Sequence, residues 1–288
     1  MSEATEKKTH TSLLESLPMR IAPDDLDTLH AAYLILEHPS LAARLTSVVG
    51  TPIEIVYHLL PKRWYRRIHD TAERAIAKAL ETAVSSMRRD HEMSAHEIYF
   101  KALAAGSGGV GGFFGLPGLL FELPITTTLM IRGVAEIARD EGEDIDLAET
   151  QLACVQVFAL GGKTEMDDAA DTGYYGVRLA LSAYMTAAVA EVAMHGFQAD
   201  SGPIVLKVIN AIASRFGVAI SQRAAAQILP VVGAIGGATV NTIFMQHFQS
   251  MARAHFTVRR LERKYGEEFV RVQYEAFEKE DQAKRSFR

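Results

Sequence analysis

The stretch that decides the fold is ALAAGSGGVGGFFGLPGLLFELPITTTLMI, residues 102–131. Its single charged residue is Glu122, and glycine recurs through its first half. Glycine inside a helix costs roughly 1 kcal/mol relative to alanine, so its repeated use needs a compensating reason. Close approach of helix backbones is such a reason. The stretch therefore indicates tightly packed helices, in a protein core or in a membrane.

Two prolines, Pro117 and Pro124, interrupt the same stretch. Proline removes a backbone donor and clashes with the preceding helical turn. We therefore predict a helix up to about Phe114, a turn at 115–118, and a new helix from near Pro124 to Arg139.

A second apolar run, residues 224–252, has a similar design, with a break at Pro230. Together the two runs predict an all-α fold, a multi-helix bundle with two glycine-rich, proline-broken apolar hairpins. Each run could instead lie in a membrane interface or cross a bilayer, because a span needs about 20 mostly apolar residues. The glycines that we expect at close helix contacts are Gly108, Gly111, Gly112, Gly115, Gly233 and Gly237.

Composition limits the class of protein. The 288 residues are 48% hydrophobic and 8% aromatic, and the formal net charge is −5. This balance gives no basic field for nonspecific nucleic-acid binding. A single cysteine, Cys154, excludes an internal disulfide and fits a reducing compartment. The polar start, MSEATEKKTH, lacks the apolar segment of a signal peptide. We therefore expect a cytoplasmic protein, either free or at the inner face of the cell membrane.

Glu122 is the most prominent candidate for a site. A carboxylate in apolar surroundings must be paired, protonated or placed at a helix start. Arg132 and Glu136 are four residues apart and can pair on one helix face. We predict a buried charge network of Glu122, Arg132, Glu136 and Arg178, with Arg132 or Arg178 as the partner of Glu122.

A basic–aromatic cluster follows Pro61. Cations beside indole and phenol rings are typical of membrane interfaces, and they also occur at polar helix starts that anchor an aromatic residue in a core. The cluster is our candidate for contact with a membrane surface. Its members are Lys62, Arg63, Trp64, Tyr65, Arg66 and Arg67.

No catalytic or metal-binding motif stands out. The histidines of HEMSAHE, residues 91–97, are five apart rather than the four that a zinc-protease motif requires. The acidic segment 165–171 lacks the alternating ligands of a calcium loop. The glycine runs carry no phosphate-loop lysine, and Cys154 lies in an apolar helix. The sequence therefore predicts no catalytic residue, no metal and no cofactor.

Several segments together resemble a known family. The block GGVGGFFGLPGLLFELPITTTLMIRGVAEIARDEGEDI, residues 108–145, is similar to the core signature of the EcsC family of bacterial proteins. Further similar segments are VFALGG at 157–162, YYGVR at 174–178, LPVVGAIGGATVN at 229–241 and RRLERKYG at 259–266. The resemblance covers roughly residues 45–266. It implies a helical bacterial protein and no particular reaction.

These observations lead to three domain limits: a weakly ordered tail over 1–22, an EcsC-like helical domain over 23–266, and a charged C-terminal tail over 267–288. We expect a non-enzymatic scaffold, adaptor or regulator at the cytosolic face of the bacterial membrane. Its partner would be the membrane surface or a membrane protein, with no nucleic acid, and the oligomeric state stays open. The alternatives are a hydrolase with a carboxylate-based site and a soluble bundle that binds a hydrophobic ligand.

Overall fold

The computed structural model describes residues 20–38, 40–58, 60–86, 115–162, 173–195, 202–228 and 234–286. The regular elements in these ranges are all α-helices, which confirms the predicted all-α multi-helix bundle. The helices are α1 Pro23–Glu37, α2 Leu41–Val49, α3 Ile53–His58, α4 Lys62–Ser86, α5 Gly115–Asp140, α6 Ala148–Leu160, α7 Tyr174–His195, α8 Pro203–Ile228, α9 Ala234–Tyr265 and α10 Glu267–Ser286.

The described residues fall into two compact units. The smaller unit contains residues 20–33 and 257–286, and the larger unit contains the described part of Leu34–Phe256. The domain limits proposed from the sequence stay a prediction.

Aromatic packing holds the smaller unit together. The ring of Tyr33 on α1 meets that of Tyr274 on α10 edge-on, with centroids 5.2 Å apart, and lies 5.8 Å from Phe277. Asp25 adds a salt bridge to Lys264, with 2.7 Å between Oδ2 and Nζ. Residues 267–286, described from the sequence only as a charged tail, therefore form a helix that packs on α1.

In the larger unit, α8 packs against each of α2 to α7. Its Phe216 belongs to a buried aromatic cluster with Phe158 of α6 and with Phe244 and Phe248 of α9. The ring centroids of Phe158 and Phe216 are 4.9 Å apart, and those of Phe216 and Phe248 are 5.3 Å apart. Such edge-to-face pairs add about 0.5–1.5 kcal/mol each to the burial of their surface. This cluster is the centre of the core.

Two helices are followed by glycines with a left-handed backbone conformation. Gly142, just after α5, has φ of 81°, and Gly266, between α9 and α10, has φ of 90°. Side chains larger than hydrogen disfavour these left-handed conformations, which is why glycine ends both helices.

The predicted break around Pro124 is wrong. Helix α5 runs from Gly115 to Asp140 with Pro124 inside it, and residues 115–118 form its first turn rather than a separate turn. Pro117 is tolerated there because the first helical N–H groups have no acceptor within the helix. Pro124 removes one internal donor, and the packing of α5 on α4 offsets that cost of about 3 kcal/mol.

Of the six glycines expected at close helix contacts, two lie within the described ranges. Gly115 is the first residue of α5, and Gly237 is buried on α9. Close helix contact at these positions stays a prediction. Gly108, Gly111, Gly112 and Gly233 lie outside the described residues, as do residues 91–97 and 165–171.

Candidate functional site

A buried ion pair joins α5 to α8. Arg223 Nη2 donates to Glu122 Oε2, and Thr126 Oγ1 donates to Glu122 Oε1. The side chain of Arg223 is fully buried, and that of Glu122 is 6% exposed. The guanidinium also lies over the ring of Phe244, 5.1 Å from its centroid. Glu122 is therefore paired, and its hydrogen bond to Arg223 links α5 to α8, while the ring contact of Arg223 reaches α9.

Two opposing effects act on the pKa of Arg223 in this pair. Burial lowers the pKa of the Arg223 guanidinium, and the Glu122 carboxylate opposes that shift. Nε and Nη1 of Arg223 make no hydrogen bond within the described part of the chain, and the side-chain amide of Gln227, one turn further along α8, makes none either. Removing the carboxylate would therefore leave a buried charge without compensation, which is strongly destabilising.

The predicted partners of Glu122 are wrong. Arg132 is exposed on α5. Glu136 pairs with Arg139 at 3.1 Å instead. The guanidinium of Arg178 lies over the rings of Tyr174 and Tyr175, at 5.4 and 5.3 Å from their centroids. The contacts described for Glu122, Glu136 and Arg178 thus involve partners outside the predicted network. Sequence reasoning missed Arg223. This residue directly precedes the second apolar run, residues 224–252, and that position was the signal that could have identified it.

The basic–aromatic cluster forms the first turns of α4. Lys62, Arg63, Arg66 and Arg67 are exposed, and none of them forms an ion pair with a described residue. The guanidinium of Arg67 lies 5.4 Å from the ring centroid of Trp64. The cluster therefore presents uncompensated positive charge on the surface.

Tyr65 is anchored rather than free. Its hydroxyl donates to the backbone oxygen of Tyr57 at 2.6 Å, and the two rings meet edge-on with centroids 5.3 Å apart. Burial of the phenol raises the pKa of Tyr65. This contact fixes the start of α4 on α3, so the cations beside it project from a firm support.

A groove of about 620 Å³ lies between α4 and α5. Its α4 wall is polar and its α5 wall is apolar. The groove brings together the basic–aromatic cluster and the second half of the apolar stretch, which are over 50 residues apart in the sequence. The α4 wall consists of Trp64, Arg67, Asp70, Thr71 and Arg74, and the α5 wall of Pro117, Leu120, Phe121 and Pro124.

The polar wall of this groove is organised by its own helix. Thr71 Oγ1 donates to the backbone oxygen of Arg67 at 2.7 Å. Arg74 Nε donates to the backbone oxygen of Asp70 at 3.1 Å, and Nη2 donates to Thr71 Oγ1 at 3.3 Å. The lining carries two arginines and one aspartate, so the groove has a positive balance.

Helix α7 carries an apolar outer face. We define this α7 outer face as Leu179, Ala183, Thr186, Ala190 and Met194, which share one side of the helix by spacing and are all exposed. Leu179 is 75% exposed and Met194 72%. Sequence reasoning missed this face because alanine and larger apolar residues occur on all sides of α7.

By length and composition, three described helices could cross a membrane. Two of them, in Pro117–Asp140 and Pro203–Gln227, have 61% and 56% of their most apolar window buried, as core helices do. The third, Tyr174–Met194, has only 22% buried. Packing among the described residues therefore leaves most of this apolar helix uncovered.

Within the described ranges, no group of three or more histidine, cysteine, aspartate or glutamate side chains could hold a metal ion. Cys154 is buried. Glu122, the carboxylate with the most unusual surroundings, accepts hydrogen bonds from Arg223 and Thr126.

Fold and site together define an all-helical protein with an amphiphilic groove and an exposed apolar helix face. The chain belongs to the EcsC protein family, whose model matches residues 35–261. The match confirms the resemblance and extends ten residues before the predicted start. No curated protein and no solved structure matches the chain.

Proposed function

We propose that this protein is a non-enzymatic helical scaffold, adaptor or regulator that acts at the cytosolic face of the bacterial membrane, with the α7 outer face in contact with lipid. The observation that carries the proposal is the exposure of α7. This helix is apolar over 21 residues, and only 22% of its most apolar window is buried. Large exposed apolar surfaces mark sites of contact with proteins or membranes.

The polar groups of α7 favour lipid as the occupant. Ser182 Oγ donates to the backbone oxygen of Leu179 at 2.8 Å, and Thr186 Oγ1 donates to that of Ser182 at 3.0 Å. Both hydroxyls therefore find hydrogen-bond acceptors within their own helix, as polar groups must where no water is present. The charged residues of α7, Arg178 and Glu191, are both half-buried. Because both hydroxyl protons are used within the helix, neither hydroxyl needs an acceptor from outside when the face meets lipid.

Vesicle flotation tests the proposal. The protein should float with neutral phosphatidylcholine vesicles, and the double variant Leu179→Gln/Met194→Gln should bind them at least roughly tenfold more weakly, because less apolar surface is buried. Glutamine adds no charge, so the test isolates the apolar contribution.

The matched control is Leu34→Gln, which changes a 45% exposed leucine on α1. We expect it to float like the unchanged protein. A protein that stays at the bottom of the gradient, or a double variant that floats as well as the control, would contradict the proposal. Size-exclusion chromatography of the same variants shows whether the face instead joins two copies of the chain.

A second candidate function is a soluble bundle that binds a hydrophobic ligand. The groove favours it, because about 620 Å³ is within the usual range of small-molecule pockets. Native mass spectrometry of protein purified without detergent distinguishes the two functions. A bound ligand on a protein that does not float supports the soluble bundle.

The third possibility, a hydrolase with a carboxylate-based site, gains no specific support from the described residues. A general base must reach its substrate or a water molecule, whereas Glu122 is 6% exposed and hydrogen-bonded to Arg223 and Thr126.

A further inference from the structure

We infer that the groove between α4 and α5 binds the phosphate-bearing headgroup of an anionic membrane phospholipid, with its acyl chain along the α5 wall. This inference rests on the proposed function and gives it a lipid preference. The α7 outer face supplies attachment to any bilayer, and the groove selects the lipid.

The first support is the placement of charge on α4. The positive end of a helix dipole disfavours cations, yet the first turn of α4 has basic residues and no acidic one. Lys62, Arg63, Arg66 and Arg67 form no ion pair with a described residue. Lys62 and Arg63 in this turn repel each other and the dipole, and Arg66 and Arg67 add positive charge one turn later. An anion bound beside them relieves both repulsions.

The second support is the kind of cation inside the groove. Arg67 and Arg74 both line it, and a guanidinium matches the geometry of phosphate oxygens through paired N–H donors. Arg74 is held by Asp70 and Thr71 of its own helix, and Arg67 lies against Trp64. Both arginines are therefore partly ordered before a ligand arrives, which lowers the entropic cost of binding.

The third support is the opposite wall. Phe121 lines the groove and is 84% exposed, an unusual state for a phenylalanine side chain. Leu120 and Pro117 extend the same apolar wall. A free phosphate or a nucleotide would leave this wall in contact with water. A phospholipid places phosphate at the arginines and hydrocarbon at Phe121, so one molecule satisfies both walls.

Asp70 limits the charge of the ligand. With two arginines and one aspartate, the lining has a net charge of +1. Lys62, Arg63 and Arg66 add positive charge outside the lining. This balance suits a headgroup with one negative charge better than a neutral zwitterion. Phosphatidylglycerol is the matching probe.

The test compares flotation on phosphatidylcholine vesicles with flotation on vesicles of equal parts phosphatidylcholine and phosphatidylglycerol. The unchanged protein should bind the anionic vesicles at least roughly tenfold more tightly, since each basic residue near an anionic surface contributes noticeably. Arg67→Gln/Arg74→Gln should remove most of this preference and leave binding to neutral vesicles unchanged.

The control is Lys78→Gln, which removes a cation from the same helix outside the groove lining. It should keep the anionic preference. If Lys78→Gln lowers that preference as much as one groove arginine does, the attraction is diffuse and the groove is not a binding site. Circular dichroism checks that each variant is folded, and Arg67→Gln alone replaces the double variant if the latter is unfolded.

Two further arms identify the ligand. Phe121→Ser should weaken binding to anionic vesicles although it removes no charge, because the acyl chain loses its wall. Inorganic phosphate should not displace the protein from anionic vesicles at constant ionic strength. Displacement by phosphate, or an unchanged Phe121→Ser variant, would show that the groove binds phosphate without a lipid chain.

The two proposals fail in different ways. If Leu179→Gln/Met194→Gln floats normally but Arg67→Gln/Arg74→Gln loses the anionic preference, the α7 contact is wrong and the groove stands. If neutral and anionic vesicles bind equally well, membrane attachment stands and the groove inference is wrong. If the protein binds neither vesicle, both are wrong.

Discussion

At the scale of single residues, Glu122 and Arg223 can be tested by removing one charge. Glu122→Gln leaves the Arg223 guanidinium buried without a counter-charge. We expect the free energy of unfolding to fall by about 3 kcal/mol or more, because breaking a buried pair from one side is strongly destabilising. Urea unfolding followed by circular dichroism measures the change.

The double variant Glu122→Leu/Arg223→Met is the control. It replaces the pair by apolar side chains of similar size, which is often neutral or stabilising. We expect it to unfold at a higher urea concentration than Glu122→Gln. If the single variant is as stable as the unchanged protein, the pair is not buried as the structure shows.

His247 makes stability depend on pH. Its Nε2 donates to the backbone oxygen of Gly161 at 2.9 Å, and burial lowers its pKa to about 4, with Arg44 adding to the shift. In the unfolded chain a histidine binds a proton below about pH 6.5. The unfolded state therefore holds more protons between these values, and the folded state loses stability as the pH falls.

Between about pH 7 and about pH 5 we expect this residue to remove about 2 kcal/mol from the free energy of unfolding. His247→Gln keeps an N–H donor for Gly161 but does not titrate in this range. Its stability should fall less over the same interval, as urea unfolding at both pH values would show. Equal losses in the two proteins would mean that His247 is not buried in its neutral form.

The sequence located one member of the ion pair and missed the other. Glu122 stood out because it is the only charge in residues 102–131. Its partner is 101 residues away along the chain, and no local spacing rule connects the two. Arg132 or Arg178 was preferred because a buried carboxylate and a buried guanidinium each need a partner. Long-range pairing depends on how α5 and α8 pack, which a single sequence does not contain.

At the scale of helices, α5 and α7 show where pattern reading fails. Pro124 was taken as a helix start because proline disfavours helix interiors. The structure instead places Pro124 inside α5, where the packing of α5 on α4 offsets the lost backbone bond. Periodicity could not reveal the α7 outer face either, because its exposed and buried sides are both apolar.

The charged C-terminal segment also has apolar residues at helical spacing. Its many charges suggested a tail, but Val270, Tyr274 and Phe277 follow helical spacing and mark an apolar side. Tyr274 is 1% exposed. The helical spacing of these apolar residues was therefore visible in the sequence, but the many charges of the segment were given more weight.

The junction between α6 and α8 provides a test at this scale. A Cβ added at Gly162 would collide with the backbone oxygen of Arg215 and lie 3.0 Å from its carbonyl carbon. Backbone atoms cannot move aside as a flexible side chain can. We expect Gly162→Ala to lower the free energy of unfolding by about 1–3 kcal/mol, measured by thermal or urea unfolding.

Gly217, inside α8, is the matched comparison. A Cβ there meets nothing within 4 Å. Gly217→Ala should therefore be neutral or stabilise the protein by up to about 1 kcal/mol, through the helix propensity of alanine. A Gly162→Ala variant as stable as Gly217→Ala would show that α6 and α8 do not approach so closely.

At the scale of the whole molecule, composition and family agree with the structure. The two glycine-rich apolar runs predicted an all-α bundle, and the described helices confirm it. The family match over residues 35–261 confirms the resemblance. Neither result indicates a reaction. The proposed function depends instead on the exposed face of α7, the positive charge of α4 and the shape of the groove.

The distribution of charge matters more than its sum. The chain has a net charge of −5, yet the exposed start of α4 carries four cations close together. An acidic protein with a basic region of this kind is turned by the field of an anionic membrane, so that this region faces the lipid headgroups.

Trp64, on the polar wall of the groove, is also the only tryptophan in the chain. Light absorbed near the red edge of the protein spectrum therefore excites a single indole, and its emission reports on one place in the molecule. Emission shifts to shorter wavelength when water leaves the ring, and bromine atoms on a lipid chain quench it at short range. The unmodified protein thus carries an optical probe of groove occupancy, and a titration in a cuvette can follow binding without any attached label.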